Sequence, residues 1–292
     1  MDNNTKKAYL QIHVAVLLFG LTAILGDLIQ VSSLSIVWWR VLLTSVSFMF
    51  IVSWKNLMQI PRKQVLRLAL IGALISLHWL TFYGSIKLAN ASVSLVCLAT
   101  TSFMTAILEP IMLKQKFKWY ELLLGLVIVP GMWLIMNDLD ASMRLGVYSG
   151  LISALLATIF SILNKKNIEG TPPRSMALIE MSAAFLMMSV LLPFYLKFSE
   201  DVKFMLHGTD WIYMIILVLG CTTLAFILNL KSLKYLSTFT TNLIINLEPV
   251  YGIILAMLIL NEHHELNTNF YIGVSVILSS VFLHPFLKRK FD

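Results

Sequence analysis

Apolar residues recur along the chain in runs of about twenty, with polar residues gathered in short breaks between them. A helix needs roughly 20 such residues to cross a hydrocarbon core about 30 Å thick. Ten runs of this kind are read from the pattern, at approximately 8–28, 34–54, 66–86, 91–113, 118–136, 144–163, 175–196, 211–231, 238–260 and 268–287. The expected fold class is therefore an all-α membrane protein with ten transmembrane helices. The breaks are too short for a soluble domain, so binding must take place among the helices or at their mouths.

Composition agrees with this pattern. Of 292 residues, 58% are hydrophobic and 13% charged, and the mean hydropathy is +0.82; an ordinary soluble domain has about 25% charged residues. The net charge of +7 raises the question of nucleic acid, and the placement of the charges answers it. With a cytoplasmic amino terminus, seventeen Lys and Arg fall on the inner side of the ten-span layout, four (Lys87, Arg144, Lys197, Lys203) on the outer side, and Arg40 within a span. An inner excess of basic residues is the topological signal of a membrane protein. Both termini are expected in the cytoplasm, in the plasma membrane (the inner membrane of a bacterium), with the lipid bilayer and not nucleic acid as the partner of the basic residues. The first run follows Lys6 and Lys7 but ends without a small-residue cleavage pattern, so it is expected to be retained.

Ten spans divide evenly near Asn137-Asp138-Leu139-Asp140, giving expected five-helix units at 1–140 and 141–292. The two ends are alike: "LLLGLVIVPGMWLI" resembles "NFYIGVSVILSSVFL", and aligning Gly125 with Gly273 sets an offset of 148 residues that brings the fourth run over the ninth. An odd number of spans per unit makes the second enter the membrane from the opposite side, as inverted repeats do. Duplication that serves packing alone is the alternative. Gly146, Gly150, Ala154 and Thr158 form a small-residue seam in the sixth run, which packing explains.

An ionisable group near the bilayer centre costs about 2.5–3.5 kcal/mol on insertion scales and needs a partner or a wet cavity. Glu248 lies midway along the ninth run, beside Pro249, in "NLIINLEPVYGIILAML". The proline lacks an N–H and is expected to kink the helix, freeing a carbonyl near Ile245. Exposed backbone at that depth is tolerated only where protein or water covers it. Glu248 thus borders a hydrated cavity or bonds a neighbouring helix across a dry interface. Thr241 shares its face at a spacing of seven; Thr238, Asn242 and Asn246 form a second stripe nearly opposite, and either stripe can line a cavity.

Other polar positions carry two readings each. In the fourth run Ser94, Thr101, Thr105 and Glu109 form a continuous stripe. Glu109, near the end of its run, snorkels to water or pairs with Lys114 or Lys116. In "LHWLTFYGSIK", Trp79 and Tyr83 share a face with His78 and Phe82 beside it, a wall suited to amphipathic or cationic solutes and equally to packing. Arg40 either receives a carboxylate, pairs with a buried acid, or anchors at the interface. Cys97 and Cys221 are expected to pack without a disulfide. "NEHHEL" lacks a zinc-protease spacing and is read as a solvated loop, so no metal is expected; no cofactor or catalytic motif is found, and the chain is not expected to be an enzyme.

The ten runs in two halves, Arg40 in the second, Pro249 followed thirteen residues later by Glu262, and Gly273 eleven beyond together resemble the EamA-type branch of the drug/metabolite transporter superfamily. That resemblance implies a carrier with a central cavity lined mainly by helices 1, 3, 4, 6, 8 and 9, moving small metabolites, often outward. The first half departs from the pattern, with Thr101 in place of the proline and Lys114 in place of the acid. The expected function is a secondary transporter, an exporter of a small organic metabolite such as an amino acid, working by alternating access as monomer or homodimer. The candidate substrate-binding set is Glu248, Trp79, Tyr83, His78, Asn242, Asn246, Arg40 and Thr101. A coupled proton, if the cycle uses one, is assigned first to Glu248 and second to His78. An intramembrane enzyme and a membrane scaffold or sensor are the alternatives.

Overall fold

Helix signals in the sequence are answered one by one in the computed structural model, which describes residues 2–127, 130–131, 133–134, 140–198, 202–245, 247–260 and 268–291. Helix α1 (Asn3–Leu28) starts where the Asp2 side chain accepts from the Asn4 N–H. Ser32 caps α2 (Ser33–Ile51) by accepting from Ser35 N–H. A short α3 (Trp54–Met58) leads to α4 (Arg62–Leu88), which follows Pro61. Asn90 then caps α5 (Ala91–Ala99) by accepting from Val93 N–H at 2.8 Å. Each of these caps supplies an acceptor to N–H groups that a helix start leaves unpaired.

The rest of the chain continues as α6 (Thr101–Leu113), α7 (Trp119–Leu126), α8 (Arg144–Asn167) and α9 (Pro173–Phe198). Next come α10 (Asp210–Val218) and α11 (Ala225–Leu233), joined without a break through a π-helical turn, Leu219–Leu224. The last three are α12 (Thr238–Ile245), α13 (Glu248–Ile259) and α14 (Thr268–Phe291). Eight stretches among the described residues are long and apolar enough to cross a membrane, and they coincide with the expected spans one to four and six to nine. The expected tenth span falls on α14, a helix of 24 residues. The expected fifth begins in α7, and its remainder passes over residues outside those described, as does the expected boundary between the halves at 137–140 apart from Asp140.

Two spans are broken at corresponding places. Pro249 cannot supply an N–H, and the ninth span divides into α12 and α13, with Leu247 N–H bonding the carbonyl of Ile244 at 3.0 Å in a tighter turn. The fourth span divides at Thr100, whose N–H bonds Cys97 O at 3.1 Å, although no proline is present. With the 148-residue offset, Thr101, which opens α6, stands against Pro249, the second residue of α13. The two broken spans pack on each other crosswise, α5 against α13 and α6 against α12, so they run antiparallel.

The expected small-residue seam is a close-packed one. A Cβ on Gly146 would stand 2.6 Å from Ala89 Cβ, and one on Gly150 2.7 Å from Cys97 Cβ; Thr158 Oγ1 donates to Thr101 O. Helix α8 thereby lies along α4, α5 and α6. Gly72 does the same for α4 and α9: a Cβ there would strike the Glu180 backbone carbonyl. Both cysteines are free and buried, and Cys97 packs against Gly150 as expected.

Candidate functional site

Around the two breaks, near the middle of the spans, lies a cavity of about 100 Å³, room for several waters by volume. Its wall draws on Phe19 and Thr22 of α1, Arg40 of α2, His78, Trp79 and Phe82 of α4, and Leu98 and Thr101 beside the first break. It also draws on Ala157, Phe160 and Ser161 of α8, Cys221 and Thr222 of the π turn, Phe226 and Asn229 of α11, and Asn242, Ile245 and Glu248 beside the second break. In span order these are helices 1, 2, 3, 4, 6, 8 and 9.

Arg40 is 2% exposed and does not snorkel to an interface. Its Nε donates to Thr222 Oγ1 at 2.8 Å, its Nη1 donates to Tyr83 Oη at 2.8 Å, and its Cζ stands 3.8 Å from the Trp79 ring centroid. A guanidinium carries five N–H donors in a fixed fork, so the two bonds and the stacked ring fix its plane while the remaining donors are left for the cavity. Thr222 is available because of the π turn: its own hydroxyl donates to Leu217 O at 2.6 Å, five residues back. Insertions of this type interrupt a helix and re-aim a side chain.

Glu248, 6% exposed, lies on the same wall and is attracted electrostatically by Arg40. The helix break changes the expected stripes. Glu248 and Asn242, one from each expected stripe, both reach the cavity, while Thr241 is not on its wall. Asn242 is held by two neighbours, Nδ2 donating to Thr105 Oγ1 at 2.8 Å and Oδ1 accepting from Ser161 Oγ at 3.1 Å.

His78 Nδ1 lies 2.9 Å from Ser153 O. Ser153 Oγ lies 2.8 Å from the same nitrogen, and Phe160 packs 5.4 Å from the ring. Three other polar atoms on the wall have no partner among the described residues: Thr22 Oγ1, Thr101 Oγ1 and Asn229 Oδ1. Buried polar atoms are satisfied by protein or by a bound molecule in the great majority of cases, so this cavity is polar where it is unfilled and aromatic elsewhere.

Six of the expected site residues therefore meet on one wall: Arg40, His78, Trp79, Thr101, Asn242 and Glu248. Tyr83 stands behind it, fully buried and bonded to Arg40. Asn246 lies outside the described residues, as does Glu262 of the "NEHHEL" stretch. Thr22, Ser161, Thr222 and Asn229 were not expected. For the last two a signal existed, because Thr222, with Thr223 beside it, stands seven residues before Asn229 in a largely apolar run.

The reading of Glu109 is corrected. Its carboxylate does not turn to Lys114 or Lys116: Oε1 accepts from Thr238 N–H at 3.1 Å and Oε2 from Phe239 N–H at 2.8 Å. It caps the start of α12, and a negative charge there also meets the positive end of the helix dipole. The stripe to which it belongs is thus divided among separate tasks. Ser94 bonds Ser85, Thr101 faces the cavity, Thr105 holds Asn242, and Glu109 caps a helix.

Comparison with known proteins adds three findings. The model of the EamA-like transporter family matches twice, over residues 6–137 and 144–284. Among solved structures 24 chains match; one, described only as the crystal structure of a protein, superimposes with a TM-score of 0.73 at 12% identity, covering 98% of this chain and 99% of its own. Likeness at that identity speaks for the fold alone. A search of curated proteins finds no match.

Proposed function

Because the chain belongs to the EamA-like transporter family and is an integral membrane protein, we propose that it is a secondary transporter of a small zwitterionic organic metabolite, such as an amino acid. The observation that carries this reading is the wall of the midspan cavity. Arg40 presents N–H donors suited to a carboxylate, Glu248 presents an acceptor suited to an ammonium group, and three unpartnered polar atoms stand beside them. Trp79, Phe160 and Phe19 supply an apolar surface for the rest of the solute. The solute enters between Arg40 and Glu248 and replaces their mutual attraction with two charge-assisted contacts.

The architecture we assign is ten helices in two inverted five-helix units, 1–140 and 141–292. Support comes from the two family matches, the breaks at corresponding places in the fourth and ninth spans, and the antiparallel packing of those spans. Broken spans meeting at the midplane are the usual ground for a transporter's binding site. Solute shifts the balance between the two access states only as far as it binds one better than the other. Export is the direction we assign from the family resemblance, and Glu248 is the group we assign to carry a proton where the cycle uses one.

The test begins with thermal-shift screening of the purified protein against amino acids, nucleosides and organic cations, followed by uptake of hits into proteoliposomes. The expected outcome is a zwitterionic hit whose uptake is lost in Glu248→Gln and Arg40→Gln. Uptake unchanged in both variants would remove the cavity from the pathway; a chemically altered product in place of accumulated solute would favour an enzyme.

A further inference from the structure

A second concave site lies at the end of the bundle that carries the amino terminus. It has a volume of about 250 Å³ and is lined by Asn4, Lys7 and Gln11 of α1, Pro173 at the start of α9, and Lys231, Lys234 and Tyr235 at the end of α11. Three ammonium groups, two side-chain amides and a phenol converge there, and its lining contains no carboxylate. Among the described residues, no acid lies within ion-pair distance of Lys7, Lys231 or Lys234.

Lysines at the end of a helix often serve its unpaired carbonyls. Here that role is filled by another residue: Lys165 Nζ donates to Leu233 O at 2.7 Å and to Leu236 O at 2.8 Å. Lys231 and Lys234 are thus left over at the terminus that they would otherwise cap. Depth follows from helix length and charge. At 1.5 Å per residue the 26 residues of α1 span roughly 39 Å against a hydrocarbon core of about 30 Å, and Lys6 and Lys7 draw the excess to its amino-terminal end, among the lipid headgroups.

The face of α1 below Lys7 is equally informative. Leu10, Val14 and Leu17 follow it at steps of three, four and three, and they are 66%, 40% and 50% exposed. A basic, carboxylate-free pocket at headgroup depth thus continues into an apolar stripe that can take acyl chains. We propose that this pocket binds the phosphate of an acidic phospholipid, with Lys7, Lys231 and Lys234 as the anionic-group ligands and the α1 stripe against its tails. Basic pockets between membrane helices are built for this chemistry. The stripe favours a lipid over free phosphate, which would gain nothing from it.

The full chain, purified in neutral detergent, is examined by native mass spectrometry and thermal shift. The probes are phosphatidylglycerol, phosphatidylcholine and inorganic phosphate. The wild type is expected to retain phosphatidylglycerol at least tenfold more than phosphatidylcholine, with retention falling at high salt. The triple variant Lys7→Gln, Lys231→Gln, Lys234→Gln is expected to lose at least fivefold, while Lys55→Gln, Lys63→Gln, Lys116→Gln, at exposed positions outside the pocket, keeps wild-type binding. Should the first triple variant fold poorly, Lys234→Gln alone, at an exposed position, is expected to lose about half of the adduct. Equal retention of the acidic lipid by pocket and control variants overturns the proposal, and so does inorganic phosphate stabilising the protein as much as the lipid does.

Discussion

Replacing Arg40 by lysine keeps a positive charge at the cavity and removes the fork that connects three helical segments. Thr222 on the π turn and Tyr83 on α4 are reached from two different nitrogens, each at 2.8 Å, and Trp79 lies under the guanidinium plane at 3.8 Å. Hydrogen bonds from a charged donor are worth about 1.5–3 kcal/mol each, and a desolvated cation–π contact about 2 kcal/mol. A compact ammonium can keep one of the two bonds and not the planar stacking. Arg40→Lys is therefore expected to cost about 2–4 kcal/mol, from one lost bond and part of the ring contact. Tyr83→Phe, which removes only the second bond, is expected to cost about 1.5–3 kcal/mol. Arg40→Met removes both bonds together with the ring contact and is expected to cost more than Arg40→Lys. Reversible unfolding in mixed lipid–detergent micelles reads all three, and the double variant Arg40→Lys with Tyr83→Phe is expected to cost less than the sum of the singles, since they share a bond. If Arg40→Lys unfolds within about 0.5 kcal/mol of the wild type, as a surface substitution would, the guanidinium does not join these segments and the reasoning fails.

Other outcomes follow from single contacts. Glu109→Ala removes the acceptor for two N–H groups of α12 and is expected to lower stability by about 1–3 kcal/mol in the same unfolding assay, with Glu109→Gln, which keeps one acceptor oxygen, falling between; an unchanged Glu109→Ala would mean that the cap is replaced by water. Gly72→Ala would place a Cβ 2.8 Å from the Glu180 carbonyl carbon and is expected to cost about 1–3 kcal/mol by overpacking, whereas Gly220→Ala, with nothing within 4 Å of its added Cβ, is expected to stay within about 0.5 kcal/mol of wild type. Cys221 lines the cavity while Cys97 is packed against Gly150, so a small water-soluble methanethiosulfonate is expected to modify Cys221 in Cys97→Ser protein at least tenfold faster than Cys97 in Cys221→Ser protein. Equal rates by mass spectrometry would contradict a solute-accessible cavity.

What the sequence determined by itself rests on local and one-dimensional properties. Runs of apolar residues fix which stretches can lie in lipid, because a helix satisfies its own backbone and lipid offers no partner. Pro249 fixed the break beside Glu248 through a missing N–H, and the small residues of the sixth span announced a close approach of helices. The same rule missed the break at Thr100, where no residue type forbids a continuous helix and the turn is held by its contacts. Which groups share the cavity was decided only in three dimensions. Glu248 and Asn242 lie about 120° apart around an ideal helix, and the interrupted turn between them sets both on the cavity wall. Arg40 had three readings as a side chain on one helix, and the positions of Thr222, Tyr83 and Trp79 on two others removed anchoring at the interface. Glu109 lay near two lysines in sequence and was taken instead by the start of a helix 129 residues away, since a buried carboxylate goes to the donors that packing brings within reach. Polar atoms in a membrane protein are few and must be paired across helices, so their partners are set by tertiary contacts that no spacing along one helix encodes.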